Sequence, residues 1–254
     1  MGIDYLELLV KRAKRRVAEG YYDLPADSYP KRSLRDSIDR ATGNAIIAEV
    51  KPSSPSEGRI VSKFDLKQLL EEYERGGAIG ISILTEPDSF GGDIARLSLA
   101  RRYCSLPLLM KDIVVSPAQI KAAKYAGADA VLLIASVFED KKDLSTMIEL
   151  VHEEGLEVLL ETHTELEFMQ AMDSESDMVG INNRSMMSLK VDIELSKRLL
   201  KLKKGSKPVI CESGISSAEQ IAELKSYGAD AFLVGTALMK ADTPSSLLRS
   251  MILA

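Results

Sequence analysis

GADAVLLIAS at residues 127–136 and GADAFLVGTA at 228–237 are near-copies of one pattern, in which a glycine and an aspartate lead into a short apolar run. One structural unit is therefore used at least twice. Six further apolar runs accompany these two: AIIAEVK (45–51), IGISILT (79–85), PLLMKD (107–112), LEVLLET (156–162), SDMVGINN (176–183) and KPVICES (207–213). Between the runs lie amphipathic stretches such as FDLKQLLEEYERGG, SPAQIKAAKYAGA, DLSTMIELVHEEGL and SSAEQIAELKSYGA. Several are entered through Ser or Asp and left through Gly, the start and stop signals of helices. Strand and helix in alternation mean parallel pairing.

Eight such units, with the repeated pattern at strands four and eight, predict an α/β fold of the (β/α)8 TIM-barrel type over residues 45–254. A doubly wound sheet would usually show fewer strands and a Gly-rich first turn, and neither G-x-G-x-x-G nor G-x-x-x-x-G-K-[ST] occurs. Residues 1–44 read as a helical extension of the same single domain. Leu6, Leu9, Val10, Ala13 and Val17 share one stripe with Lys and Arg opposite, and LRDSIDRAT reads as a second short helix ending near Gly43.

The chain has 254 residues, 45% hydrophobic and 28% charged, with a net charge of -5. That balance suits one large core and argues against nucleic acid as a partner; the basic run KRAKRR (11–16) reads as a solvated helix face. Cys104 and Cys211 are far apart and form no C-x-x-C pair, so neither a disulfide framework nor a zinc site is expected, and a cytoplasmic location is. Charges interrupt the apolar residues of the first segment, which matches neither a signal peptide nor a membrane span. His152 and His163 are the only histidines and neither has metal-site spacing; His163, just past Glu161, is placed near the mouth.

In such a barrel the active site lies at the carboxyl ends of the strands, so polar residues that end an apolar run are informative. PLLMKD is apolar until Lys111. The other ends carry Glu49 and Lys51, Glu161, Asn182 with Arg184, and Glu212 with Ser213. Glu49 and Lys51 are two apart and share a face. The residues alone leave two readings open, a site for acid–base chemistry or solvated strand ends joined in a structural ion-pair network.

The runs NAIIAEVKPSSPSEG, ISILTEPDSFGG, PLLMKDIVV, GADAVLLIAS, LLETHTELE, VGINNR, ESGISS and FLVGTALM resemble the indole-3-glycerol phosphate synthase family, in order and over nearly the whole chain. The last two are shared with sister phosphate-binding barrels, whereas K-x-x-S-P-S, LMKD and GINNR together are specific. The resemblance implies closure of the indole ring of 1-(2-carboxyphenylamino)-1-deoxyribulose 5-phosphate, with loss of carbon dioxide and water, in tryptophan biosynthesis. It implies a small phosphosugar as partner; no cofactor, no metal and no membrane are expected, and a monomer is expected with an oligomer left open.

On the same resemblance, Lys111 is the acid that meets the developing alkoxide, Lys51 holds the substrate carboxylate, and Glu161 acts in the final dehydration. Glu49 and Glu212 keep the lysines charged and in place. Asn182 binds a sugar hydroxyl and Arg184 braces the carboxylate region. Ser54, Gly214, Gly235 and Thr236 hold the phosphate, with Ser213 beside them, while Phe90 and Ile113 wall the aromatic ring. The family usually has Phe where this chain has Ile113, and Ser53 and Ser185 also depart from its commoner pattern. The extension is expected to cover the mouth and to be dispensable for folding. Competing readings are another phosphosugar isomerase or aldolase using a Schiff-base lysine, and a barrel that binds a phosphorylated ligand without turning it over.

Overall fold

The repeated G-A-D-A pattern ends a helix and starts a strand. In the computed structural model, which describes residues 5–138 and 140–254, Gly127 and Gly228 sit at φ 85° and 103°, just after the helices Pro117–Tyr125 and Ala218–Ser226. Glycine takes these left-handed values without a Cβ clash. The aspartate then closes the preceding strand: Asp129 Oδ2 accepts the amide of Leu108 at 2.8 Å, and Asp230 Oδ2 that of Val209 at 2.6 Å. Asp177 does the same for Val158 at 2.7 Å. Each carboxylate also meets a basic side chain, Arg101, Lys203 or His152 respectively.

Eight parallel strands close into a barrel in chain order. They are β1 (Ala45–Val50), β2 (Gly80–Leu84), β3 (Leu108–Lys111), β4 (Ala130–Ile134), β5 (Glu157–Thr162), β6 (Met178–Asn182), β7 (Val209–Glu212) and β8 (Ala231–Val234). The ring closes through β1 against β8, with Ala48 opposite Val234. The predicted α/β TIM barrel is the observed fold.

Two apolar layers follow from the period of two. Ile46, Ala48, Leu108, Met110, Val131, Leu133, Val158 and Leu160 face the surrounding helices. Their neighbours Ala45, Ile47, Leu109, Ala130, Leu132 and Leu159 fill the barrel. No helix among the described residues is long and apolar enough to cross a membrane.

The N-terminal extension does not behave as one lid. Helix α1 (Tyr5–Ala18) lies at the mouth, whereas α2 (Leu34–Asp39) plugs the opposite end. Leu34 and Ile38 belong to the barrel's interior cluster. The Glu157 carboxylate, at the start of β5, accepts from Ser33 Oγ at 2.5 Å and from the amides of Leu34 and Arg35 at 2.8 and 3.1 Å. This packing argues against the expectation that the whole extension is dispensable for folding, since removing α2 would uncover the lower end of the barrel and leave the Glu157 carboxylate without these donors.

The stripe on α1 also differs from its reading. Its buried line runs Leu9, Ala13, Arg16, so one arginine of the basic run faces inward. Leu34→Ala should lower stability by about 2–5 kcal/mol in urea unfolding while leaving substrate affinity unchanged; a loss below about 1 kcal/mol would show that α2 is not part of the core.

Candidate active site

The alternation that fills the barrel also delivers its charges. Glu49, Lys111, Glu161, Asn182 and Glu212 are the last inward residues of β1, β3, β5, β6 and β7, and Lys51 follows two after Glu49. Lys111 Nζ lies 3.2 Å from Glu161 Oε2 and is hydrogen-bonded to Glu212 Oε2. Lys51 Nζ is 3.4 Å from Glu49 Oε1. Asn182 Nδ2 donates to Glu161 Oε1 at 3.0 Å. Two glycines leave room for these carboxylates: a Cβ on Gly180 would fall 2.3 Å from Glu212 Oε1, and one on Gly235 2.5 Å from Glu49 Oε1, so that a larger residue would displace them.

Burial sets the protonation of this cluster. It opposes the charge on Lys111, but Glu212, Glu161 and Glu49 outweigh it and hold the ammonium well above the usual lysine range. Burial also works against Glu161, yet Lys111, His163 and Asn182 keep it far below the usual carboxyl range. Glu212 goes the other way, pushed up to about 7 by burial and by the charge of Glu161 despite the pull of Lys111. Its Oε1 is buried without a hydrogen-bond partner, which favours the neutral form. Burial and the charge of Glu161 thus weigh against the ionised form of Glu212, and Lys111 weighs for it.

Above the cluster is a cavity of about 430 Å³. Lys51, Lys111, Glu49, Glu161 and Asn182 line it, as do the apolar side chains of Phe90 and Ile113 from the loops after β2 and β3, Leu132 and Ile134 from β4, and Leu233 from β8 opposite. Ser54, Ser213, Gly214, Gly235 and Thr236 line the same cavity. Ser213 and Gly214 are consecutive left-handed residues at φ 65° and 80°. For a serine this conformation is strained, and such strain concentrates at functional loops. A short helix, Thr236–Lys240, starts directly after Gly235.

The loops around the rim are tied together. Ser53–Ser54 pairs antiparallel with Gly58–Arg59 after β1. Arg184 Nη1 donates to Ser56 Oγ at 2.7 Å and to the Leu189 carbonyl at 2.8 Å, and Lys240 meets Glu57 at 2.6 Å. Arg184 therefore lines the cavity with Nη1 engaged by the loops. Ser185 closes the turn after β6, where its Oγ accepts the amide of Ser188. His163 stands behind Glu161 and not among the lining side chains.

A mouth of this construction marks a (β/α)8-barrel enzyme acting on a small phosphorylated substrate. A family model described as indole-3-glycerol phosphate synthase matches residues 6–251, and the chain belongs to that family. Relatives named indole-3-glycerol phosphate synthase include one from Aquifex aeolicus, 44% identical over 83% of this chain and 82% of its own. Another, from Campylobacter curvus, is 38% identical over 92% and 94%. Among solved structures, thiamine phosphate pyrophosphorylase from Pyrococcus furiosus aligns with a TM-score of 0.60 at 17% identity, covering 86% of this chain and 96% of that one. An N-acetylmannosamine-6-phosphate 2-epimerase from Clostridium perfringens gives 0.59 at 20%, over 84% and 93%. At such identity these two likenesses speak for the fold alone.

Sequence reasoning missed a second polar network beside the first. Asp112 points away from the cavity floor and accepts from Tyr22 Oη at 2.9 Å, Thr85 Oγ1 at 2.6 Å and the Ile113 amide at 2.7 Å. Arg16 Nη1 reaches Glu86 at 2.9 Å and Asp88 at 2.7 Å, with Nη2 4.0 Å from Asp112. Nothing local in KRAKRR marks Arg16 as buried. Leu132, Ile134 and Leu233, by contrast, were open to reading from the period of two.

Protonation of Glu212 favours the folded state, since its folded pKa lies above the ordinary carboxyl value of 4.5. That contribution is fully present below about pH 4.5 and lost as the pH rises through about 7. Glu161 contributes with the opposite sign, above its ordinary value, and loses it as the pH falls. Between about pH 5 and 7.5, the urea midpoint of wild type should therefore fall more steeply with rising pH than that of Glu212→Gln. Equal slopes would remove Glu212 from the titration.

Proposed function

We propose that this site runs the indole-3-glycerol phosphate synthase reaction with Lys111 as the acid of ring closure. The aryl carbon bearing the carboxylate attacks the ribulose carbonyl, and the oxygen that becomes an alkoxide takes its proton from the Lys111 ammonium. Lys51 holds the carboxylate until it leaves as carbon dioxide. Glu161 then serves the dehydration, exchanging protons with the departing hydroxyl and the adjacent methylene carbon. Glu49 and Glu212 position the two ammoniums, and Asn182 binds a sugar hydroxyl.

The observation that carries this reading is the Lys111 ammonium held between Glu161 and Glu212 at the floor of a cavity that apolar side chains also line. Phe90 and Ile113 line the cavity from the loops after β2 and β3 and take the anilino ring, where Ile113 gives less stacking area than an aromatic would. Ser54, Ser213, Gly214, Gly235 and Thr236 take the phosphate, with Arg184 bracing the carboxylate side. A Schiff-base aldolase needs a neutral amine, and the carboxylates around Lys111 oppose that form.

The whole chain acts as one domain with residues 1–44 as its extension, and as a cytoplasmic monomer. Two free, buried thiols, Cys104 and Cys211, suit a reducing compartment. The most exposed large apolar residues, Leu166, Met187 and Leu253, are far apart in the chain.

Incubation with the anilino substrate should produce indole fluorescence, and Lys111→Ala should lower turnover by about 10²-fold or more. Inorganic phosphate should still compete with substrate in that variant. Near-normal turnover without Lys111 would overturn its role.

A further inference from the structure

The reaction proposed above takes up protons in a way its floor residues alone do not explain. The carboxylate leaves as neutral carbon dioxide, and its bonding pair restores the aromatic ring after the new carbon–carbon bond has formed. The carbonyl oxygen takes one proton on becoming a hydroxyl and a second on leaving as water. One proton returns when the methylene carbon beside the nitrogen is deprotonated to complete the indole. Two protons in and one out leave a net demand of one per turnover, drawn from solvent while the substrate fills the cavity and excludes water.

His163 is placed to meet that demand. Its Nε2 lies 3.3 Å from Glu161 Oε1, and its Nδ1 lies 3.9 Å from Glu167 Oε2. Both ring nitrogens are buried and neither makes a well-formed hydrogen bond. Glu167, on the helix Glu165–Met172, has a partly exposed side chain and is fixed over the ring by accepting the His163 amide at 2.7 Å. The charges that face the ring are Glu161 on its own strand, Glu167 on the following helix and Glu212 on β7. Together they raise the histidine's affinity for a proton against the effect of burial. An imidazole can take a proton at one nitrogen and release another from the opposite one.

We propose that His163 is the proton entry of this site, passing a proton from the Glu167 side to Glu161 and so resetting Glu161 and Lys111 in each cycle. It acts through Glu161 and does not touch the reacting atoms. The inference rests on the ring-closing reading of the site. Transfer across the 3.9 Å at Nδ1 requires the Glu167 carboxyl, whose Oε2 also accepts the His163 amide, to turn toward the ring.

The test compares full-length wild type, His163→Ala and Glu167→Gln in turnover, Michaelis constant and solvent isotope effect. Proton uptake is followed with an indicator dye in weak buffer. Wild type should take up one proton per indole product formed. His163→Ala should lower kcat by about 10²-fold with KM nearly unchanged, and added imidazole should restore part of the loss. Glu167→Gln should lower kcat less and enlarge the isotope effect, and it decides the matter if the histidine variant does not fold. Unchanged kcat in both variants sinks the relay, as does a loss in His163→Ala that comes with a raised KM and no imidazole rescue. Wild type that forms no indole product overturns the ring-closing reading and the relay with it.

Discussion

Closure of a parallel barrel imposes an alternation that no strand can escape: every second residue faces the interior, and the last inward one faces the mouth. Each barrel strand is thereby limited to one or two side chains at the site, and their spacing is set by hydrogen-bonded register and not by loop conformation. Asn182 stands opposite Glu212, and Glu161 opposite Ile134, because β6 pairs with β7 and β4 with β5 in those registers. Groups carried on strands hold position more closely than groups carried on loops, which is what proton transfer over about 3 Å requires.

The same geometry forces charges into a place that penalises them. Glu49, Glu161 and Glu212 surround Lys111, with Lys51 paired to Glu49, so three carboxylates share two ammoniums. The excess is resolved by asymmetry: Glu161 keeps its charge through Lys111, His163 and Asn182, whereas Glu212, with an unpartnered oxygen against Gly180, gives way. Two carboxyls on one ammonium are thus driven apart in acidity, the usual route by which neighbouring acids come to hold different roles.

The barrel was legible because its signals are local and repeated. Alternating apolar runs mark strands, Ser and Asp mark helix starts, and the G-A-D-A copies mark the same corner twice, where Asp129 and Asp230 do the same work for Leu108 and Val209. The candidate floor was legible for the same reason, since Lys111 and Glu161 end runs that are otherwise apolar. Arg16, Asp112 and the plug made by Leu34 were not. Their burial depends on what α1 and α2 pack against, and a charged helix face reads as solvated until a partner carboxylate from a distant loop is known.

That distant pairing changes what the extension is. Asp112 follows Lys111 in the chain but faces the opposite way, into Tyr22 and Thr85, with Arg16 beyond. Arg16 also binds Glu86, whose side chain caps the short helix Pro87–Phe90 that carries Phe90 to the cavity wall. Taking α1 away would leave Glu86 and Asp112 as buried carboxylates without their cation, a larger cost than the loss of a cover. Such carboxylates would relax toward water or protonate, and either response moves the residues next to them, which are Lys111 and the wall of the ring pocket. The extension therefore belongs to the electrostatics of the mouth at one end and to the packing of the floor at the other.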